Sequence, residues 1–291
     1  MDEQPFEVHV DGGTLHGSRG GSGPPALLLH GGPALPDYTG PCAAELGDLF
    51  SIMRYAQRGV APSAVGPPYT VDAHVADAIA VLDAHGLERA WVIGHSWGGH
   101  LALHIAVAHP DRLEGVVCIN PLGASMDVLE EFGENLRHGL QPDVRAWVEE
   151  VDARDDAGDA TKEESLQAFA AVWPYYFADP ASAPPFPFDE RGDGAAETWA
   201  SILEHCERRT LEDGLRHLTL RTLFVHGAVD PLPARTSTDT AALMPNADVV
   251  LLDGRGHFPW LEQPGELPRV VADALGLPDG RSGVVGSGRP G

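Results

Sequence analysis

The chain is poor in lysine, in cysteine and in long apolar runs, and each shortage excludes something. Lys162 is the only lysine, and 19 Lys+Arg stand against 43 Asp+Glu, a formal net charge of −24. So acidic a surface repels phosphate backbones and anionic lipid, which removes nucleic acid and membrane surfaces from the expected partners. Three cysteines, Cys42, Cys118 and Cys206, cannot all pair and form no Cys-x-x-Cys. A disulfide framework and a zinc site are thereby excluded, and the three read as reduced structural thiols. No apolar run approaches the roughly 20 residues that span a bilayer. The opening Met1-Asp2-Glu3-Gln4 lacks the basic-then-apolar pattern of a secretory leader, so the expected location is the cytoplasm. What is present is a globular composition, 43% hydrophobic and 21% charged over 291 residues, enough for one large α/β domain or two small ones.

Short β-rich runs alternate with helical periodicity at both ends of the chain. Residues 6–10 and 14–18, separated by Asp11-Gly12-Gly13, predict a hairpin. Residues 26–30, 50–55, 90–94, 115–120, 221–226 and 247–253 predict six further strands. Val71, Val75, Ala78, Ile79 and Leu82 recur at helical spacing up to Gly86, a suitable C-terminal cap. Residues 96–109 predict a second helix, stopped by Pro110, and Leu267, Val270, Val271, Ala274 and Leu275 line one face of a last one. This alternation predicts a mostly parallel sheet covered on both faces by helices.

Residues 122–220 break the alternation and show no strand pattern. Thr161-Lys-Glu-Glu164 fits a capping box, followed by Leu166, Phe169, Ala170 and Trp173 on one helical side, while Pro174 and the prolines of 180–187 force a kink or loop. The segment is expected to be a helical cap inserted into a core of residues 1–121 and 221–276. Its aromatics either fill the cap's own core or line a pocket; Trp173, Tyr176 and, beyond the last strand, Phe258 are the candidates for substrate contact. Residues 277–291, rich in Gly, Ser and Arg, predict a disordered tail.

The strongest chemical signal is Gly94-His95-Ser96-Trp97-Gly98-Gly99, which ends a predicted strand and opens a predicted helix. In that setting Gly-x-Ser-x-Gly is a nucleophile elbow, because the turn is too tight for side chains at Gly94 and Gly98 and leaves Ser96 exposed at the helix N-terminus. Serine needs a base to take its proton. Of 14 histidines, His257 is distinguished by its setting: it follows a strand in a glycine-rich loop, Asp253-Gly-Arg-Gly-His257, at the sheet end where catalytic groups gather. His100, His104 and His109 lie on the elbow helix and read as surface or packing residues. Asp230 follows the strand of residues 221–226 and is placed to accept the far imidazole N–H. An acid at the end of the 115–120 strand is the alternative, but Asn120 stands there and cannot carry the charge. Finally, His30-Gly31-Gly32-Pro33 follows an apolar strand; the N–H of Gly32, with that of Trp97, can form an oxyanion hole, while His30 reads as a residue that fixes the loop by hydrogen bonds.

These residues resemble the α/β-hydrolase superfamily and, within it, the prolyl aminopeptidase (proline iminopeptidase) group of serine hydrolases. The resemblance rests on His30-Gly-Gly-Pro33, Gln57-Arg58-Gly59, Gly94-His-Ser-Trp-Gly-Gly99, His226-Gly-Ala-Val-Asp230 and Gly256-His-Phe-Pro-Trp-Leu-Glu-Gln-Pro264, in matching order. The family commonly has glycine where Ala34 stands and aspartate where Ala56 stands. Its peptidases clamp the substrate amine with glutamates in a cap bearing a Trp-Glu pair, and residues 122–220 contain no such pair. The resemblance implies an α/β-hydrolase fold and a triad of Ser96, Asp230 and His257 acting on a small molecule, with no metal or organic cofactor. The serine also argues against the dehalogenase and epoxide-hydrolase chemistries of this superfamily, which use a carboxylate at the elbow. Ester, lactone or amide hydrolysis through an acyl-enzyme on Ser96 is the expected activity. The alternatives are release of N-terminal proline and, in a different class, a small-molecule receptor that keeps the fold.

Overall fold

Strands whose two faces are both apolar belong in the middle of a covered sheet. In the computed structural model, which describes residues 2–278, Leu27 and Leu29 of β3 (Pro25–Leu29) enter one hydrophobic core while Ala26 and Leu28 enter the other. The same division recurs along β6 (Ala90–His95), β7 (Leu113–Ile119) and β8 (Thr222–Gly227): Val92, Val116, Cys118 and Phe224 face one core; Ile93, Val117, Ile119, Leu223 and Val225 face the other. The remaining strands are β1 (Gln4–Val10), β2 (Gly13–Gly21), β4 (Ser51–Tyr55), β5 (Ala64–Val65) and β9 (Ala247–Leu252). Their order is β1-β2-β4-β3-β6-β7-β8-β9, with β5 paired to β2. The pairs β1–β2 and β2–β4 are antiparallel, and every pair from β4 to β9 is parallel. The expected mostly parallel sheet is therefore present. The two-residue β5 has no periodicity by which the sequence could reveal it.

Helices are α1 (Gly40–Leu46), α2 (Val71–Ala84), α3 (Trp97–Ala108), α4 (Leu129–Arg137), α5 (Pro142–Asp156), α6 (Lys162–Val172), α7 (Ala195–Glu207), α8 (Thr210–Leu215), α9 (Arg235–Ala242), α10 (Pro259–Glu262) and α11 (Glu266–Leu275). α2 starts on the Thr70 hydroxyl, which accepts from the Ala73 N–H, and stops at Gly86 in the left-handed region. His100 and His104 of α3 are buried: the His104 Nε2–H donates to His100 Nε2 at 3.1 Å, and the His100 Nδ1–H donates to the Gly123 carbonyl at 2.6 Å. Arg58 and Asp77 of α2 form a buried bidentate pair at 2.8 and 2.7 Å. The same guanidinium donates to the carbonyls of Pro68 and Gly66.

Between β7 and β8 the described residues hold helices and no strand. The Thr161–Glu164 capping box opens α6 as expected. Pro174 does not break the chain there: α6 runs on into a 3-10 turn, Trp173–Tyr176, whose first turn tolerates a proline. α4, α5 and α6 share a small core of Leu136, Val148, Val151, Ala168 and Val172. α7 and α8 return to the sheet, where Ile202, Leu211 and Leu215 join the core that also holds α2 and α3. Of the expected tail, Leu277 packs on the sheet core, and residues 279–291 lie outside the described residues.

Candidate active site

Ser96 is the hinge between β6 and α3. Its φ of 55° and ψ of −121° are a strained backbone conformation for a residue with a side chain. The turn closes only because its neighbours lack Cβ atoms. One on Gly94 would lie 2.0 Å from the Gly98 carbonyl oxygen, and one on Gly98 would lie 2.2 Å from the Leu29 oxygen. The Ser96 N–H is held by the Ile119 carbonyl at 3.0 Å, and its side chain remains partly exposed.

The loop after β3 lies directly against this serine: a Cβ on Gly31 would stand 2.9 Å from Ser96 Cβ. Gly32 follows with φ 131°, and Ala34 occupies the left-handed region at φ 63°, the conformation in which the family's usual glycine would be unstrained. Among the described residues neither the Gly32 nor the Trp97 N–H has a protein acceptor. His30 pins the loop from below, its Nδ1–H donating to the Gly31 carbonyl and its Nε2 accepting the Gln57 N–H. Gln57 in turn donates to the His30 carbonyl and accepts the Trp97 indole N–H at 2.9 Å. A second chain of bonds crosses the front of the site. The Gly31 N–H donates to the Tyr38 hydroxyl, which donates to His95 Nδ1, and the His95 Nε2–H donates to the His257 carbonyl at 2.7 Å. The loop of Gly32, the elbow and the loop of His257 are thus wired together.

Asp230 and His257 meet at the same end of the sheet, the His257 Nδ1–H donating to Asp230 Oδ2 at 2.8 Å. Asp230 Oδ1 accepts the Leu232 N–H at 2.8 Å, and Oδ2 also accepts from the Asn120 carboxamide. The segment after α6 seats the loop of His257. The His257 N–H donates to the Tyr176 carbonyl at 2.7 Å, while the Glu262 carboxylate accepts the N–H of Gly256 with one oxygen and that of Ala178 with the other. Burial pulls the His257 imidazole down to about 3, so at neutral pH the ring is uncharged, with Nε2 able to accept a proton. Burial also pushes the Asp230 carboxyl up to about 7, against the pull of His226, the Leu232 N–H and Asn120.

Of the three residues expected to contact substrate, Tyr176 is partly exposed and sets its ring 5.2 Å from that of His257, with Phe132 on the same imidazole at 6.5 Å. Phe258 also lies 5.2 Å from His257 but is 3% exposed, packed on Phe177 and Trp260. Trp173 lies one layer further back, against Phe258 and Phe188, its indole N–H spent on the Pro184 carbonyl. Tyr38 and Phe132 are site neighbours that the sequence does not mark, and Asn120 and His95, placed by the sequence, have hydrogen-bond partners that it does not reveal. An open cleft of about 670 Å³ beside β1 and β2 is lined by Phe6, His16, Asp37, Arg54 and Pro62, and contains none of Ser96, Asp230 and His257. Among the described residues no cluster of His, Cys, Asp and Glu has the makings of a metal site, and no helix is long and apolar enough to cross a membrane.

The fold agrees with the comparisons to known proteins. The profile of the alpha/beta hydrolase fold family matches residues 24–264. The chain is 29% identical over 272 residues to a 2-hydroxymuconate semialdehyde hydrolase of Pseudomonas putida, covering 89% of each chain. It superposes on a serine hydrolase of Cycloclasticus zankles with a TM-score of 0.71 at 18% identity, covering 94% of this chain and 98% of the other. It superposes on proline iminopeptidase of Mycobacterium smegmatis with a TM-score of 0.67 at 25% identity, covering 94% and 98%. With a match that runs from the strand before the Gly32 loop to beyond His257, the chain belongs to the alpha/beta hydrolase fold family.

Proposed function

We propose that the protein is a serine hydrolase that cleaves an ester, lactone or amide bond of a small molecule through an acyl-enzyme on Ser96. The observation that supports this reading is the 2.8 Å Asp230–His257 pair, whose loop is tied by the His95–His257 hydrogen bond to the strained elbow that carries Ser96. Ser96 Oγ attacks the carbonyl and His257 Nε2 takes its proton. In its ionised form Asp230 holds Nδ1–H and stabilises the imidazolium as it forms. The free N–H groups of Gly32 and Trp97 receive the developing oxyanion. The imidazolium then protonates the leaving group, and a water activated by the same ring releases the acyl group.

Residues 122–220 act as the cap in this reading, with α4 to α6 as the part that has a small core of its own. The rings nearest His257 from that segment, Phe132 and Tyr176, offer apolar surface. Such walls favour a neutral acyl group over an N-terminal amine, whose buried cation needs a paired carboxylate. The likeness to proline iminopeptidase supports amide cleavage at an N-terminal proline as the second reading. A fluorophosphonate is expected to label Ser96, and Ser96→Ala to lose the label and at least ~10³-fold of turnover. The panel to measure comprises p-nitrophenyl esters, lactones, proline-p-nitroanilide and 2-hydroxymuconate semialdehyde. Neutral esters or lactones are expected to be cleaved at least as well as the proline substrate. Activity that survives Ser96→Ala overturns the mechanism, and a preference of ~100-fold or more for proline-p-nitroanilide overturns the substrate class.

A further inference from the structure

Asn120 stands where β7 ends, at the strand end where the sequence offered an alternative seat for the acid. It is fully buried and holds a left-handed backbone, φ 45°. Both N–H groups of its carboxamide are used, and its oxygen accepts as well. One side of Nδ2 donates to Asp230 Oδ2, the other donates to the Gly256 carbonyl at 2.9 Å, and Oδ1 accepts the Gly227 N–H at 3.3 Å. The orientation is forced, because a flipped amide would set its oxygen against a carboxylate and a carbonyl and its NH₂ against an N–H. The main-chain N–H of Asn120 is fixed as well, donating to the Val225 carbonyl at 2.9 Å. One side chain therefore joins three strand ends: β7, which carries it, the turn after β8 that carries Asp230, and the loop after β9 that carries His257.

We propose that Asn120 is a positioning residue for the reaction at Ser96, holding Asp230 as a carboxylate aimed at His257 Nδ1 and clamping the residue before His257 to the same unit. The inference rests on the triad reading above and adds a fourth group to it. The carboxamide does what a carboxylate in its place could not. A second buried anion beside Asp230 would force one of the pair to keep a proton. A neutral donor adds a hydrogen bond to Oδ2, the same oxygen that His257 uses, without adding charge. Removing that donor disfavours the ionised form of Asp230, and a protonated Asp230 no longer stabilises the imidazolium. The loss therefore falls on the chemical step, not on substrate capture, and it carries a pH signature.

The test is ester hydrolysis by Asn120→Ala and Asn120→Asp, each measured from pH 5 to 9 beside wild type, Ser96→Ala and Asp230→Asn, with thermal melts as the check on folding. Asn120→Ala is expected to lower kcat about ten- to a hundredfold at pH 7 with KM within about threefold, and to move the acidic limb of kcat/KM to higher pH. Asn120→Asp can donate to Asp230 only while protonated. It is expected to exceed Asn120→Ala at pH 6 and to lose that advantage by pH 9. Wild-type kcat and an unmoved profile in Asn120→Ala, with Ser96→Ala inactive, overturn the role of Asn120 and leave the triad standing. Activity in Ser96→Ala overturns both. If Asn120→Ala does not fold, Asn120→Asp decides: a profile parallel to wild type sinks the proposal, and an added alkaline fall supports it.

Discussion

The buried Arg58–Asp77 pair can be broken from one side or removed from both, and the two perturbations should differ in a way the structure specifies. Both side chains are nearly sealed from solvent, 3% and 2% exposed. Burial pushes the Asp77 carboxyl above its ordinary value even with Arg58 pulling it down, so desolvation outweighs the attraction and the pair itself adds little stability. Asp77→Ala leaves a buried guanidinium with only the Pro68 and Gly66 carbonyls for partners. An uncompensated buried charge costs about 3–5 kcal/mol, which for a domain of this size lowers the melting temperature by roughly 6–20 °C. Arg58→Met with Asp77→Leu removes both charges and forfeits mainly the two carbonyl bonds, each about 1–1.5 kcal/mol. The double variant should therefore be more stable than Asp77→Ala, although it changes more atoms. Urea unfolding of wild type, single and double variants at pH 7 measures the order, provided the m-values agree. A single variant within about 1 kcal/mol of wild type, or a double variant less stable than the single, refutes the reasoning.

Two further expectations concern pH and the elbow. Burial holds His74 and His257 down to about 3 and His100 to about 4, whereas unfolded histidine titrates near 6.5. Below about pH 6.5 the unfolded chain therefore binds protons that the folded chain refuses, so stability that is full above that value is lost as pH falls towards 4. Urea midpoints measured from pH 8 to 4.5 should drop steeply, and a flat series would contradict the buried neutral rings. Gly98→Ala places a methyl 2.2 Å from the Leu29 oxygen and should abolish fluorophosphonate labelling; a variant labelled at the wild-type rate would show that the elbow tolerates a Cβ.

What the sequence made legible was local. Glycines at 94 and 98 mark a turn that only Gly can close, strand apolarity marks the sheet, and Thr161 with Glu164 marks a helix start; each is settled within a few residues. The order in which β4 stands between β2 and β3 is not local, because it depends on which long-range pairings bury most surface. Asn120 shows the same boundary inside the site. Its residue type was enough to say that no acid stands at that strand end, but its three hydrogen bonds reach residues more than a hundred positions away. Tyr38 and His95 are 57 residues apart and join only because β3 lies beside β6. Aromatic composition announced an apolar surface in the insertion without distinguishing Tyr176, which faces His257, from Trp173, which packs behind it.

The seat that Tyr176, Ala178 and Glu262 make for the His257 loop bears on how this protein can be re-engineered. His257 takes its main-chain anchor from the Tyr176 carbonyl, and Glu262 stitches Ala178 to Gly256. Gly256 is itself confined, since a Cβ there would lie 2.4 Å from the Tyr176 oxygen. A chimaera that grafts a relative's insertion to change substrate preference therefore has a defined seam. α4, α5 and most of α6 share a small core of their own, but Phe132, Asn135 and Phe169 also reach the sheet side, so an exchange has to keep those contacts. The stretch from Tyr176 to Ala178 belongs with the parent's Gly256–Glu262 loop and has to travel with it, or the graft delivers a new pocket to a displaced imidazole.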